Sequence, residues 1–527
     1  MVLSAIDGQG TVHEESDKKM DANDERMEHT QQQRDSSGTS RRTFLTAAAL
    51  APVAATVAGR SVGSLASGSV SGSSVPWRTG ASSGPIKIGL LEDRAGNFSI
   101  FGIPKLHAAQ LAVAEINAGY TLADSKGGLD VFGKDTSRPP TETIHGVKNS
   151  GGAMGSTKIV YDEEPDILVK SGDRGVLGRK LTLIAPDPQS DNTRFQSLGR
   201  RLVEQDNVDV LFAGFASAER EAIRPVMDSL HQLYFYNNQY EGGVADSYTF
   251  CTGAVPEQQI IPMMQYMTVT FGPTFYILAA DYNFGQLSAA WSRAMAPILG
   301  AKMIGQEFIP LSVSQFSSTI SKVQQAKPDW LIMYITGQNH ANFYPQANAA
   351  GLHKPMGSSI NMAQGYEHLR FKPPALWQMH TTTNWMEEYQ TPRAKKFIQR
   401  YRKMFPNESY IAQETQTTYL AIHLYAKAVR KAGTTDQGKV AAALESGMGM
   451  EAPEGPVFMD PATHHLTHEI RLARAEKDHS ITFVHTWQAI EPWWTRRLGV
   501  NLVRNPEHKQ YTPADDPYFK EATKSKA

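Results

Sequence analysis

From residue 86 onward the chain alternates short apolar, β-branched runs with amphipathic stretches of helical period, and this alternation leaves few folds open to it. Ile86-Lys87-Ile88-Gly89-Leu90-Leu91 reads as a strand, and residues 106–116 place apolar side chains at helical spacing. After an interruption the rhythm resumes, with strands over 180–185, 208–212 and 233–236 alternating with helices over 192–205 and 217–230. Helices over 257–270, 287–298 and 315–325 then alternate with strands over 274–280, 302–309 and 330–335. Strands spaced by about 10–15 helical residues predict parallel sheets covered on both faces. About 400 residues of such a pattern exceed one core, so the expected fold is α/β with two doubly wound parallel-sheet lobes.

The segments outside the alternation read differently. Residues 1–39 are polar and charge-dense, too poor in apolar surface to offset ordering entropy, and are expected to be a disordered leader. Ser40-Arg41-Arg42-Thr43-Phe44-Leu45-Thr46 followed by an Ala-rich apolar run matches a twin-arginine export signal over 40–60. That run is broken by Pro52 and is shorter than the roughly 20 residues that span a bilayer, so no membrane span is expected once the signal is removed. Ser- and Gly-rich residues 61–84 read as a flexible linker. Residues 119–174, with clustered Gly, Asp, Ser and Thr and with Pro139-Pro140, read as a surface insertion or lid-like excursion.

Charge and motifs narrow the chemistry. The formal charge of −1 offers no field to hold nucleic acid or acidic lipid, and the single cysteine, Cys251, allows neither an internal disulfide nor a thiolate metal cluster. No Walker-type loop and no G-x-G-x-x-G after a strand occurs. His464-His465-Leu466-Thr467-His468-Glu469 has close imidazoles, but it lies between two strand-like runs and reads as a polar turn rather than a zinc site. Gly175-Val176-Leu177-Gly178-Arg179-Lys180 precedes a strand instead of opening a helix, so it reads as a turn and not a phosphate cradle. No nucleophile with a base in reach stands out, so no catalytic residue, metal or cofactor is assigned and an enzyme is not expected. In doubly wound sheets ligands bind beyond the carboxyl ends of strands, which directs attention to residues 214–217, 237–241, 281–285 and 336–339.

Read in order, Ile88-Gly89-Leu90-Leu91, residues 112–117, Gly175 to Arg179, Gln239-Tyr240-Glu241-Gly242, Thr252-Gly253-Ala254, Asp281-Tyr282 and Glu454-Gly455-Pro456-Val457 resemble the type I periplasmic solute-binding proteins of ABC transporters. The likeness is greatest to the branch that binds urea and short-chain amides, which is itself similar to the branched-chain amino acid binders. It implies two lobes joined by three crossovers and closing on a solute by a hinge. The first lobe would take 85–254 plus 389–447, the second 255–388 plus 449–500, and 501–527 would form a C-terminal extension. The resemblance further implies a small-molecule solute and a membrane permease as partners, with the protein periplasmic or extracellular. Its pocket positions fall on Phe215, Ser217, Tyr236, Asn238, Tyr282, Phe284, Thr336 and Gln338.

A small neutral polar solute fits such a set. Leaving one of its carbonyl or N–H groups unpaired on enclosure costs about 1–3 kcal/mol, and Ser217 and Asn238 both donate and accept. Tyr236, Tyr282 and Phe284 would supply rigid walls. An amino acid would need a partner for its ammonium, for which Glu241 or Asp281 is available, so that alternative stays open. Ser217 has a second natural role as a helix N-cap, and Glu241 one as an anchor for its own loop. The same fold also serves an extracytoplasmic sensor that signals through a protein partner, and a secreted amide hydrolase is a weaker alternative.

Overall fold

A computed structural model describes residues 75–80, 83–125 and 166–519; the expected leader over 1–39 and export signal over 40–60 lie outside the described residues. Its first sheet has five parallel strands in the order Leu181–Ile184, Ile86–Leu91, Val210–Ala213, Tyr234–Tyr236 and Thr249–Cys251. The two-residue period of the central strand divides its side chains between two cores. Val210 and Phe212 face the helices Ser99–Asn117 and Gln413–Ala432, whereas Leu211 and Ala213 face Asn192–Glu204 and Ser217–Leu230. Both faces are covered, which is why the strand is apolar throughout.

The second sheet has seven strands. Lys302–Ile309, Thr274–Ala280, Trp330–Tyr334, Met356–Ser358 and Met379–Thr383 run parallel, and His468–Ala475 and Ile481–Ile490 complete the edge antiparallel. Phe275, Ile277 and Ala279 point to the helices Pro256–Phe271 and Asn283–Met295, while Tyr276 and Leu278 point to Ser317–Ala326 and Gln338–Ala349. The antiparallel edge departs from the all-parallel expectation: Met379–Thr383 pairs antiparallel with His468–Ala475, and the turn to Ile481–Ile490, closed by Glu476 N–H to the Ser480 carbonyl at 2.8 Å, is too short for a crossover.

Up to the strand His468–Ala475 the chain passes between the lobes three times, after Thr249–Cys251, after Met379–Thr383 and before His468–Ala475, and the C-terminal segment then returns to the first lobe at His508–Gln510. The hairpin of Gly449–Ala452 and Gly455–Phe458 precedes the third passage, and its Met450, Ala452 and Val457 enter the first lobe's core. The second lobe therefore resumes later than residue 449, the point anticipated from the sequence. Two other segments also differ from expectation. Within the expected linker, Pro76 accepts a hydrogen bond from Tyr248 at 2.6 Å and Arg78 donates to the Val203 carbonyl at 3.1 Å, so the chain is already packed on the first lobe there. At the ends of the expected insertion, Tyr120–Leu122 pairs antiparallel with Leu168–Lys170, and Leu122 and Ile167 are buried in the first core; residues 126–165 lie outside the described residues.

Candidate functional site

Loops at the carboxyl ends of strands in both lobes line a narrow cleft between them. The first lobe contributes Phe215, Ala216, Ser217, Asn238 and Gln239, and the second contributes Tyr282, Phe284, Thr336, Ile360 and Gln364. None of these side chains is ionisable in the physiological range, so the wall is polar but uncharged.

The first-lobe half is built on carbonyls and one buried carboxyl. Phe215 stacks on Phe101 with ring centroids 3.9 Å apart, and its loop is fixed by the Glu219 carboxyl, which accepts from Phe215 N–H at 2.8 Å and Ala216 N–H at 2.9 Å. Burial and the facing Asp93 carboxyl hold Glu219 well above the usual carboxylate range. Tyr236 does not line the cleft. It is buried beneath, and its hydroxyl donates to the Phe215 carbonyl at 2.7 Å. Asn238 donates to the same carbonyl at 2.6 Å and accepts from Gln364 at 2.6 Å, so both ends of its amide are engaged within the protein. Gly253 permits this placement, since a Cβ there would lie 2.1 Å from the Asn238 carbonyl.

Ser217 Oγ donates to the buried Glu241 carboxylate, which also pairs with Arg220 at 2.6 Å. Ala216, not Ser217, occupies the N-cap, so the hydroxyl is free of the expected capping role. Glu241 thus anchors its own loop instead of facing the cleft. Asp281 is exposed, accepts from Gln286 at 2.9 Å and likewise does not line the cleft.

In the second lobe Tyr282 and Phe284 stand with ring centroids 6.1 Å apart, and burial keeps the Tyr282 phenol protonated beside Thr336. Gln338 opens the helix Gln338–Ala349 but is exposed and does not line the cleft. Gln239 Nε2 reaches Gln364 Oε1 at 3.5 Å, while Gln239 Oε1 is buried with no protein partner. Four lining residues were absent from the sequence-derived set. Ala216 and Gln239 sit inside loops that the sequence had marked; Ile360 and Gln364 follow Met356–Ser358, whose three residues, one of them glycine, carry no strand pattern.

A family model described as a periplasmic binding protein matches residues 85–480. The chain belongs to the periplasmic binding protein family. Among curated relatives, a Leu/Ile/Val-binding protein homolog of Brucella suis is 20% identical over 296 residues, covering 55% of this chain and 76% of that protein. Among solved structures, a solute-binding protein of Rhodopseudomonas palustris in complex with 4-hydroxybenzoate has a TM-score of 0.60 at 16% identity, covering 78% of this chain and 99% of that one. The branched-chain amino acid binding protein LivJ of Streptococcus pneumoniae, in complex with isoleucine, has a TM-score of 0.59 at 15% identity, covering 77% and 100%. At these identities the structural likenesses establish the fold of this periplasmic binding protein. Among the described residues no helix is long and apolar enough to cross a membrane.

Elsewhere the clustered histidines have local partners. His464 pairs with Glu445, His465 with Tyr240 and His468 with Glu454, so the three imidazoles do not converge. Val176 and Arg179 exchange backbone hydrogen bonds across Leu177 and Gly178, both at positive φ, which makes this segment a tight turn. Asp228, Asp246 and His508 lie close enough to share a cation, but Arg224 already pairs with Asp246 at 2.9 Å and the two carboxylates push His508 up to about 10. Cys251 is buried, which pushes its thiol up to about 12.

Proposed function

We propose that this periplasmic binding protein captures a small uncharged solute bearing N–H groups, an amide or urea-like molecule, between its lobes and delivers it to the permease of an ABC importer. The cleft chemistry carries the reading. Ser217 donates its hydroxyl hydrogen to Glu241 and Gln239 Oε1 has no protein partner, so the first-lobe side offers acceptors to N–H groups, while the Thr336 hydroxyl of the second lobe can donate to a carbonyl. Phe215, Phe284 and Ile360 add apolar walls that suit the short carbon chain of an amide. The protein acts as a binder and not as an enzyme, since no activated nucleophile lines the cleft.

A second reading has its own observation. The helix Ser217–Leu230 begins at the cleft, and its N-terminal end favours an anion, which suits the carboxylate of an amino acid or aromatic acid. The relatives that bind isoleucine and 4-hydroxybenzoate are consistent with it. The absence of an acidic side chain from the lining weighs against an ammonium-bearing solute.

A thermal-shift screen of the purified protein with acetamide, urea, L-leucine and 4-hydroxybenzoate separates the two, because a ligand that binds only the folded state raises the melting temperature. A rise with the amides supports the first reading; a rise confined to the carboxylates replaces it with the second. We also infer export by the twin-arginine route to a site outside the cytoplasmic membrane. Substituting Arg41 and Arg42 by Lys should retain a reporter fusion inside the cell, and unaffected export would refute that route.

A further inference from the structure

The C-terminal segment does not trail away from the lobes. Val500 and Leu502 pack on Ala245, and His508–Gln510 pairs antiparallel with Val244–Asp246 of the first lobe. His508 lies 3.6 Å from Asp228 and 3.5 Å from Asp246, and its ring stacks on Tyr248. Farther along, the segment lies on the second lobe, where Asp516 accepts from Trp494 at 2.9 Å and Phe519 packs against Trp291 and Trp494. Between these anchorages Tyr511 N–H donates to the Gly243 carbonyl at 2.7 Å, and Gln510 Nε2 donates to Glu241 Oε1 at 2.9 Å and to the Gly242 carbonyl at 3.1 Å.

Glu241 is the carboxylate that accepts the Ser217 hydrogen bond. Its two oxygens are divided: Oε2 accepts from Ser217, and Oε1 is held by Arg220 and Gln510. Main-chain fixation comes from the other lobe, since Trp291 Nε1 donates to the Glu241 carbonyl at 2.9 Å. Without the Gln510 amide, Oε1 keeps only Arg220, and the carboxylate can rotate so that both oxygens face the guanidinium in the bidentate geometry that such pairs favour. Ser217 would then lose its acceptor, and its hydroxyl would turn a proton toward the cleft.

We propose that the C-terminal arm belongs to the solute site: Gln510 is a positioning residue that holds Glu241 so that Ser217 presents only lone pairs to the cleft, selecting solutes with an N–H donor. The selectivity part rests on the amide reading above, whereas the positioning part does not depend on any solute.

The test uses the full chain and Gln510→Ala, which leaves the backbone pairing of the arm intact. Ligand-free hydrogen exchange over residues 213–220 should quicken by about threefold or more in the variant, while the strand Thr274–Ala280 exchanges as before. Calorimetric titration should show the preference for acetamide over N,N-dimethylacetamide, which has no N–H, falling by about threefold or more. Unchanged exchange over 213–220 overturns the positioning role whether or not either amide binds. Faster exchange with an unchanged preference overturns the role in selectivity. Faster exchange in a chain whose wild type binds neither amide leaves the positioning role standing and sinks the amide reading instead.

Discussion

Gln364 of the second lobe donates a 2.6 Å hydrogen bond to Asn238 Oδ1 of the first, directly across the cleft. The bond joins a cleft loop of one lobe to a cleft loop of the other. Both residues are buried, so separating them exposes two amides that otherwise satisfy each other.

Replacing Gln364 with Ala removes this latch and leaves Asn238 with an unmet acceptor. The loss of one buried hydrogen bond, about 1 kcal/mol, predicts a solute affinity lower by about fivefold. The ligand-free radius of gyration from small-angle scattering should increase. Unaltered affinity and scattering would show that the latch contributes nothing to closure.

Glu241 and Arg220 form a fully buried ion pair, and removing Glu241 leaves the buried Arg220 with the part-exposed Glu221 as its remaining carboxylate partner. Glu241→Ala should cost about 3–5 kcal/mol in urea unfolding, whereas Ser217→Ala should cost about 1 kcal/mol and act chiefly on solute affinity. Equal destabilisation by the two changes would contradict the separation of anchoring from recognition.

Phe215 is stacked on Phe101 and packed with Phe98, so it supports the cleft wall as well as lining it. Phe215→Ala is predicted to lower stability by about 3 kcal/mol, and Phe215→Leu by less than half of that, because the latter refills most of the volume. Chemical denaturation of the two variants checks the order.

Burial carries Glu414 up to about 8 and Glu92 up to about 7, from an ordinary 4.5. For a carboxyl raised on folding, the native state holds the extra proton. Its stabilising contribution is complete below about pH 4.5 and is lost as pH rises toward the folded value. The melting temperature of Glu414→Gln relative to wild type should therefore be near zero at pH 5 and clearly positive at pH 8. A difference that is constant across that range would mean that Glu414 stays ionised in the folded protein.

The alternation that starts at Ile86 was enough to read two doubly wound lobes, since burial on both faces forces the strands toward continuous apolar runs such as Val210-Leu211-Phe212-Ala213. Loops following well-marked strands were equally legible, and six of the eight anticipated positions line the cleft. Tyr236 failed because it ends a strand and points beneath the loop that it supports. Gln338 failed because the helix begins there and turns its side chain to the surface. Ile360 and Gln364 were hidden behind the short strand Met356-Gly357-Ser358. The bonds of Asn238 and Glu241 to distant chain segments have no local signature, so recognition could not be told from support there.

Calorimetric titration of the purified protein with acetamide decides whether the cleft takes a small uncharged solute bearing N–H groups. Saturable binding is predicted, strong with acetamide and urea and weaker with N,N-dimethylacetamide, because acceptors at Ser217 and Gln239 require an N–H donor from the solute. No heat with either amide or urea, together with saturable binding of L-leucine or 4-hydroxybenzoate, would contradict it.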